Sequence, residues 1–203
     1  MARANACRHR CWHGATGIRF STHPCAYCLL GFESLKKVEF RNCEGADFSF
    51  GEYRSYLRDA FVFYEARRSD IGGGKCLSTQ AKHYVCDSGM RYAVLGTRDM
   101  DWGRTYENAA FLELTRRGCE TYVGKLYQKE AGFIAKRSSE LVYIQAGDDV
   151  SSKSTLEREL APPLSVRDAF PKALIARTRH EPYTREGVLV LDLARWLLGE
   201  QGL

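Results

Sequence analysis

Three groups of residues in this 203-residue sequence carry types and spacings with chemical potential. The first is a run of cysteines. Five of the eight precede residue 44: Cys7, Cys11, Cys25, Cys28 and Cys43. Cys25 and Cys28 have C-x-x-C spacing, and Cys7, Cys11 and His13 could close a tetrahedral zinc site around them. The first pair lacks that spacing and its surroundings lack a folded pattern, so reduced thiols without metal are the default reading. The second group is Ile71-Gly72-Gly73-Gly74-Lys75-Cys76. A phosphate-cradling loop needs G-x-x-x-x-G-K-[ST], with a hydroxyl after the lysine to reach magnesium. The leading glycine is misplaced here and Cys76 stands where the hydroxyl belongs, so the stretch reads as a turn. The third group is basic: Arg54, Arg58, Arg67, Arg68, Lys75 and Lys82. Of these, Arg54, Arg58, Lys75 and Lys82 are the predicted phosphate contacts of a nucleic-acid surface. Glu52, Asp59, Glu65 and Asp70 are interleaved with them, which makes domain packing the default.

Composition bounds these readings. Apolar residues make up 44% and charged residues 27%, which excludes wholesale disorder and a fibrous chain. Apolar runs are only a few residues long, against the roughly 20 needed to span a bilayer. No apolar h-region follows the N-terminal basic residues, so the expectation is a cytoplasmic protein with no membrane association. The net charge of +5 lies in the first half. Residues 1–50 carry seven basic and four acidic side chains, residues 51–100 carry eight and six, and the remainder is balanced. That surplus is compatible with weak phosphate attraction without requiring it.

The elements that must position these residues begin near Phe50. Residues 1–50 show neither a helical nor a strand period and read as an irregular Cys-rich segment, as a truncated or non-native stretch would. From Glu52 to Glu65, Tyr53, Tyr56, Leu57, Ala60, Phe61 and Tyr64 form a helical stripe. A strand within Phe61–Ile71, a glycine turn and a strand ending Lys82-His83-Tyr84-Val85 follow, as at the end of a winged helix. Asp87 caps a helix that Gly96 stops. Beyond residue 100 the pattern predicts a helix over Arg104–Arg117 with Gly118 as its stop. Strands then follow over Glu120–Val123, Glu130–Ala135 and Leu141–Gln145. A helix from Ser154 ends before Pro162-Pro163, strands cover Lys172–Ala176 and Val188–Leu191, and Asp192 caps a helix over Leu193–Leu198. Interspersed strands and helices argue for an α/β fold with helices packed on a sheet.

Several blocks from Tyr53 onward, in order, resemble a known family. They include Tyr56-Leu57-Arg58-Asp59-Ala60-Phe61, Asp70-Ile71-Gly72-Gly73-Gly74-Lys75 and Tyr84-Val85-Cys86-Asp87-Ser88-Gly89-Met90-Arg91. Further on come Tyr106-Glu107-Asn108, Leu112-Glu113-Leu114, Lys129-Glu130 with Phe133-Ile134-Ala135, Tyr143-Ile144-Gln145, and Phe170-Pro171-Lys172. Together they resemble the C-terminal domain of unknown function that follows the ATPase module of bacterial and archaeal AAA-type predicted ATP-binding proteins. The resemblance implies a partial winged helix over residues 51–100. It implies a degenerate restriction-endonuclease-like core, α-β-β-β-α-β, over residues 101–203. ATP and magnesium belong to full-length members, so no cofactor is expected of this chain.

The nuclease fold implied by that resemblance places a helix Glu, a second-strand Asp and a third-strand acid-x-Lys around divalent metal. Glu107 and Glu113 are the helix acids here. Gly132 stands where relatives usually have Asp, Tyr143 takes the acid position and Gln145 the lysine position. Glu107, Glu113, Glu130 and Gln145 are therefore the remnant site, with Glu130 contributing only if its strand slips by two residues. The leading expectation is a non-catalytic regulatory or interaction domain that contacts an ATPase module, itself or nucleic acid. The alternatives are a metal-dependent nuclease and a DNA-binding adaptor.

Overall fold

A computed structural model describes residues 50–73, 76–78, 81–96, 101–126 and 129–202. The cysteine-rich segment, with Cys7, Cys11, His13, Cys25 and Cys28, lies outside the described residues, as does Lys75. Ser49–Leu203 form one compact α/β unit, so residues 51–100 and 101–203 belong together. No helix among the described residues is long and apolar enough to cross a membrane.

The chain opens with helix α1 (Phe50–Asp59), strand β1 (Phe63–Ala66) and strand β2 (Arg68–Asp70). The apolar stripe that predicts a helix to Glu65 is cut at Asp59. Phe61 N–H donates to the Arg58 carbonyl and Val62 N–H to the Leu57 carbonyl, a left-handed cap centred on Phe61 at φ 55°. Tyr64 is thereby delivered to β1 instead of a fifth helical turn.

Strand β3 (Lys82–Val85) pairs antiparallel with β1, Phe63 opposite Val85. β2 does not join that pair but runs parallel to strand β4 (Glu120–Leu126) of the large sheet, Arg68 opposite Val123. Helix α2 (Ser88–Leu95) follows, with Asp87 accepting from Gly89 N–H and Gly96 closing it at φ 80°.

Helix α3 (Trp102–Arg116) begins two residues earlier than its apolar pattern, because the Asp101 side chain accepts from Arg104 N–H. It ends on Gly118 at φ 76°, the residue type the left-handed cap favours. Strands β4 (Glu120–Leu126), β5 (Lys129–Arg137) and β6 (Glu140–Asp149) make an antiparallel meander. Helix α4 (Lys153–Ser165) runs through Pro162 and Pro163, where the sequence pattern predicts a stop. Each proline lacks the N–H that would bond the carbonyl four residues back, Arg158 and Glu159 respectively, and the helix ends three residues after Pro162. Ser165 Oγ donates to the Pro162 carbonyl there.

Strands β7 (Lys172–Arg177), β8 (Tyr183–Arg185) and β9 (Val188–Asp192) complete the sheet, and α5 (Leu193–Leu197) closes the chain. The three-residue β8 is exposed throughout and carries no buried apolar alternation, so the sequence offers no signal for it.

The seven-stranded sheet has the order β2-β4-β5-β6-β7-β9-β8. β7 shows how strand periodicity separates its two faces. Ile175 joins Phe111, Leu114, Phe133 and Trp196 beneath α3 and α5. Leu174 and Ala176 join Leu156 and Leu160 beneath α4.

Candidate functional site

The described residues with chemical potential meet in one small cleft of about 120 Å³, lined by Lys82, Glu107, Glu130, Gly132, Phe133, Gln145 and Ala146. They come from four stretches of chain: β3, α3, β5 and β6. Glu107 projects from the second turn of α3 and Lys82 opens β3. Asn108 fixes these two elements together, its amide donating to the Val85 carbonyl and its oxygen accepting from Val85 N–H, both at 2.9 Å. This pair of hydrogen bonds to the backbone sets the distance over which Lys82 must reach.

Glu130 arrives by a bulge. Between Val123 and Lys125 of β4 the facing residues of β5 change from Phe133 to Glu130, three residues against two. Gly132 supplies the extra residue at φ 68°, in the left-handed region. The alternation that would otherwise govern Glu130 is interrupted there, and no two-residue slip is needed. Glu130 accepts from Arg68 at 2.7 Å and from Lys82 Nζ at 3.1 Å. Lys82 Nζ lies also 2.9 Å from Glu107 Oε1 and 3.2 Å from its Oε2, so one ammonium is shared by two carboxylates. Tyr84 donates its hydroxyl to Glu107 Oε1 at 2.8 Å, orienting that carboxylate from behind.

Burial works against the Lys82 ammonium, but Glu107 and Glu130 outweigh it and hold its pKa above the ordinary lysine value. Burial likewise works against the Glu130 carboxylate, and Lys82 and Arg68 outweigh it, so its pKa falls below the usual range. Lys82 and Glu130 are thus both charged near neutrality.

The far wall of the cleft is closed. A Cβ on Gly132 would collide with the Ile144 carbonyl oxygen and sit 2.8 Å from Gln145 Oε1 and 3.1 Å from its Cα. No acidic side chain fits at this position without moving β6. Gln145 donates through Nε2 to Glu159 of α4 at 3.1 Å, which leaves its Oε1 buried with no donor. Tyr143 turns away: its hydroxyl donates to Asp168 at 2.7 Å, and burial and that hydrogen bond push its pKa up.

Glu113 is not part of this cleft. It is buried further along α3, accepting from Arg116 and Arg117 at 2.7 Å each. Arg117 also donates to the Trp196 carbonyl and lies 4.4 Å above the Trp196 ring. Hydrogen bonding from Arg116 leads the effects that hold the Glu113 pKa below the usual range. The role of Glu113 is to bind α3 to α5 through Arg117.

The predicted phosphate contacts among the described residues, Arg54, Arg58 and Lys82, are engaged within the fold. Arg54 pairs with Glu65 at 3.0 Å, and Arg58 with Asp59 at 3.3 Å and Glu65 at 3.4 Å. Lys82 is committed to Glu107 and Glu130. The Gly72-Gly73 backbone also has an acceptor: Asp70 accepts from Gly72 N–H at 3.3 Å and Gly73 N–H at 3.1 Å, placing a carboxylate where a phosphate would need to lie.

Taken as a donor set for a divalent cation, the cleft offers two carboxylates and one buried amide oxygen around an ammonium. Among the described residues no three of His, Cys, Asp and Glu gather closely enough to hold a metal ion. With the ammonium between its two carboxylates, the cleft as it stands does not fit the divalent metal that the resemblance to a nuclease fold implies. The participation of Lys82, Arg68 and Glu159 has no counterpart in local sequence periodicity, because each joins the cleft through side-chain contacts between distant elements. Gly132 inside a strand pattern is the one local sign, pointing to the bulge.

The chain is similar to an uncharacterized protein of Haemophilus influenzae, 33% identical over 150 residues that cover 74% of this chain and 37% of that one. It thus spans little more than a third of the length of this relative. No family model and no solved structure matches the chain.

Proposed function

We propose that this chain is a non-catalytic interaction domain built on a degenerate restriction-endonuclease-like core, derived from the C-terminal part of an AAA-type ATPase-family protein. The order α3-β4-β5-β6-α4-β7 and the mixed sheet, antiparallel at β4-β5-β6 and parallel at β6-β7, support the nuclease-like reading of the core. The observation that carries the loss of catalysis is the closed seat at Gly132, where the second-strand acid would have to stand. Without it, phosphodiester cleavage lacks the ligand that holds a metal between helix and strand. What remains is a stable sheet with a neutralised cleft, suited to contacting an ATPase module, a second copy or nucleic acid.

The test is cleavage of plasmid and branched DNA in magnesium or manganese. No cleavage above a buffer control is expected. Magnesium-dependent cleavage that disappears in Glu107→Ala would overturn the proposal and restore the nuclease reading. One observation keeps that second reading in view: Glu107 and Glu130 share a cleft with an ammonium, although the ammonium comes from β3 and not from the third strand of the meander.

A further inference from the structure

We infer that Lys82 is a tethered cation, its ammonium filling the position between Glu107 and Glu130 that a divalent ion would otherwise take, and that its removal opens a divalent-cation site. The inference rests on the proposed reading of this cleft as a former metal site and assigns the residue that replaced the metal.

Four features support it. Lys82 Nζ lies 2.9 Å from Glu107 Oε1 and 3.1 Å from Glu130 Oε2, bridging the carboxylates as an ion would. Each carboxylate is braced by a second group, Glu107 by the Tyr84 hydroxyl and Glu130 by Arg68. Such outer bonds orient carboxylates toward a shared point.

The third feature is the buried Gln145 Oε1, which has no donor and lies over Gly132 at the wall of the same cleft. A hard cation takes amide oxygen alongside carboxylate oxygen among its ligands, whereas the ammonium engaged by two glutamates leaves that oxygen unused. The fourth is the charge balance. Arg68 and Lys82 offset Glu107 and Glu130, so a divalent ion entering the cleft would add two uncompensated charges. Without Lys82 the same groups carry one net negative charge, and a divalent ion becomes the favoured counter-charge.

Lys82 is also held in place by the fold. β3 is paired along β1 and pinned to α3 by Asn108, so the ammonium is presented by the backbone and not by a wandering surface side chain.

The experiment titrates manganese into the full chain and follows the free-ion signal by electron paramagnetic resonance. Wild type should leave the signal unchanged at millimolar protein. Lys82→Met should bind one manganese per chain, at least about tenfold more tightly than wild type, the factor that corresponds to about 1.4 kcal/mol. Lys82→Met/Glu107→Gln should lose that binding, and Lys82→Arg, which keeps the charge, should not gain it.

If Lys82→Met is unfolded by circular dichroism, manganese must restore its folded spectrum and a cooperative melt. A Lys82→Met chain that folds without binding manganese, or that manganese fails to rescue, overturns the tethered cation while leaving the interaction-domain reading intact. Wild-type chain that binds manganese tightly overturns the inference. DNA cleavage by wild type overturns the functional reading.

Discussion

Substituting Gly132 by alanine tests the closed wall of the cleft directly. Two costs act there. The backbone sits at φ 68°, where a Cβ costs roughly 1–2 kcal/mol relative to glycine. The added methyl also collides with the Ile144 carbonyl and crowds Gln145, an overpacking cost of about 1–3 kcal/mol.

Gly118 separates the two terms. It has φ 76°, but a Cβ there meets nothing within 4 Å, so Gly118→Ala should lose only the first term. The expected loss is therefore about 2–5 kcal/mol for Gly132→Ala and about 1–2 kcal/mol for Gly118→Ala. Urea unfolding followed by circular dichroism reads the difference, since a slope of about 1–3 kcal/mol per molar turns it into a clear midpoint shift. Equal midpoints for the two variants would refute the collision. The same collision predicts that Gly132→Asp, which restores the missing acid on paper, destabilises the chain and does not create magnesium-dependent cleavage.

Other consequences can be measured in the same way. Phe61 occupies the left-handed cap position of α1 with its side chain 68% exposed, so Phe61→Gly should relieve backbone strain and stabilise the chain by about 0.5–1 kcal/mol in urea unfolding. Asn108→Ala leaves the Val85 N–H and carbonyl without their side-chain partners and should cost about 1–3 kcal/mol, read as a fall in melting temperature. Burial leads the effects that depress the His83 pKa below its ordinary 6.5, so the unfolded chain binds the proton more readily. Stability should fall as pH drops from above 6.5 through the folded-state value, and His83→Gln should flatten that part of the melting profile. Glu113, Glu65 and Glu130 are all depressed below 4.5, so their contribution is present above that pH and lost on further acidification. Glu113→Gln should remove its share of the acid-induced fall in melting temperature.

The parts of the fold legible in the sequence were those set by local chemistry. Asp87, Gly96, Gly118 and Asp192 marked helix ends because a short acid accepts from exposed N–H groups and glycine takes the left-handed turn without strain. The α/β class followed from the alternation of periods. Phe61 defeated the helix prediction because an aromatic residue fits both a helical stripe and, at a cost, a left-handed cap. Pro162 and Pro163 do not stop α4 at once: each gives up one bond to the carbonyl four residues back, and the helix runs on only to Ser165.

At the cleft, Glu107, Glu130 and Gln145 come together, a grouping that the family resemblance suggests and no periodicity carries, while Glu113 shares the polarity of Glu107 but faces Arg116 and Arg117. Lys82 reads along the chain as a phosphate contact, since nothing in its neighbours records that two carboxylates lie across the fold. Its destination is a property of the packing of β3 against α3, which no periodicity encodes.

The bridge from Lys82 to Glu130 joins positions 48 apart, and that from Arg68 to Glu130 positions 62 apart. Neither half of the chain can therefore display the charged cluster alone, and a nick between Val85 and Glu107 would leave two fragments that must find each other before the salt links exist. The cluster is a seal on completed folding: protease resistance of α3 and the salt links of the cleft should rise and fall as one event.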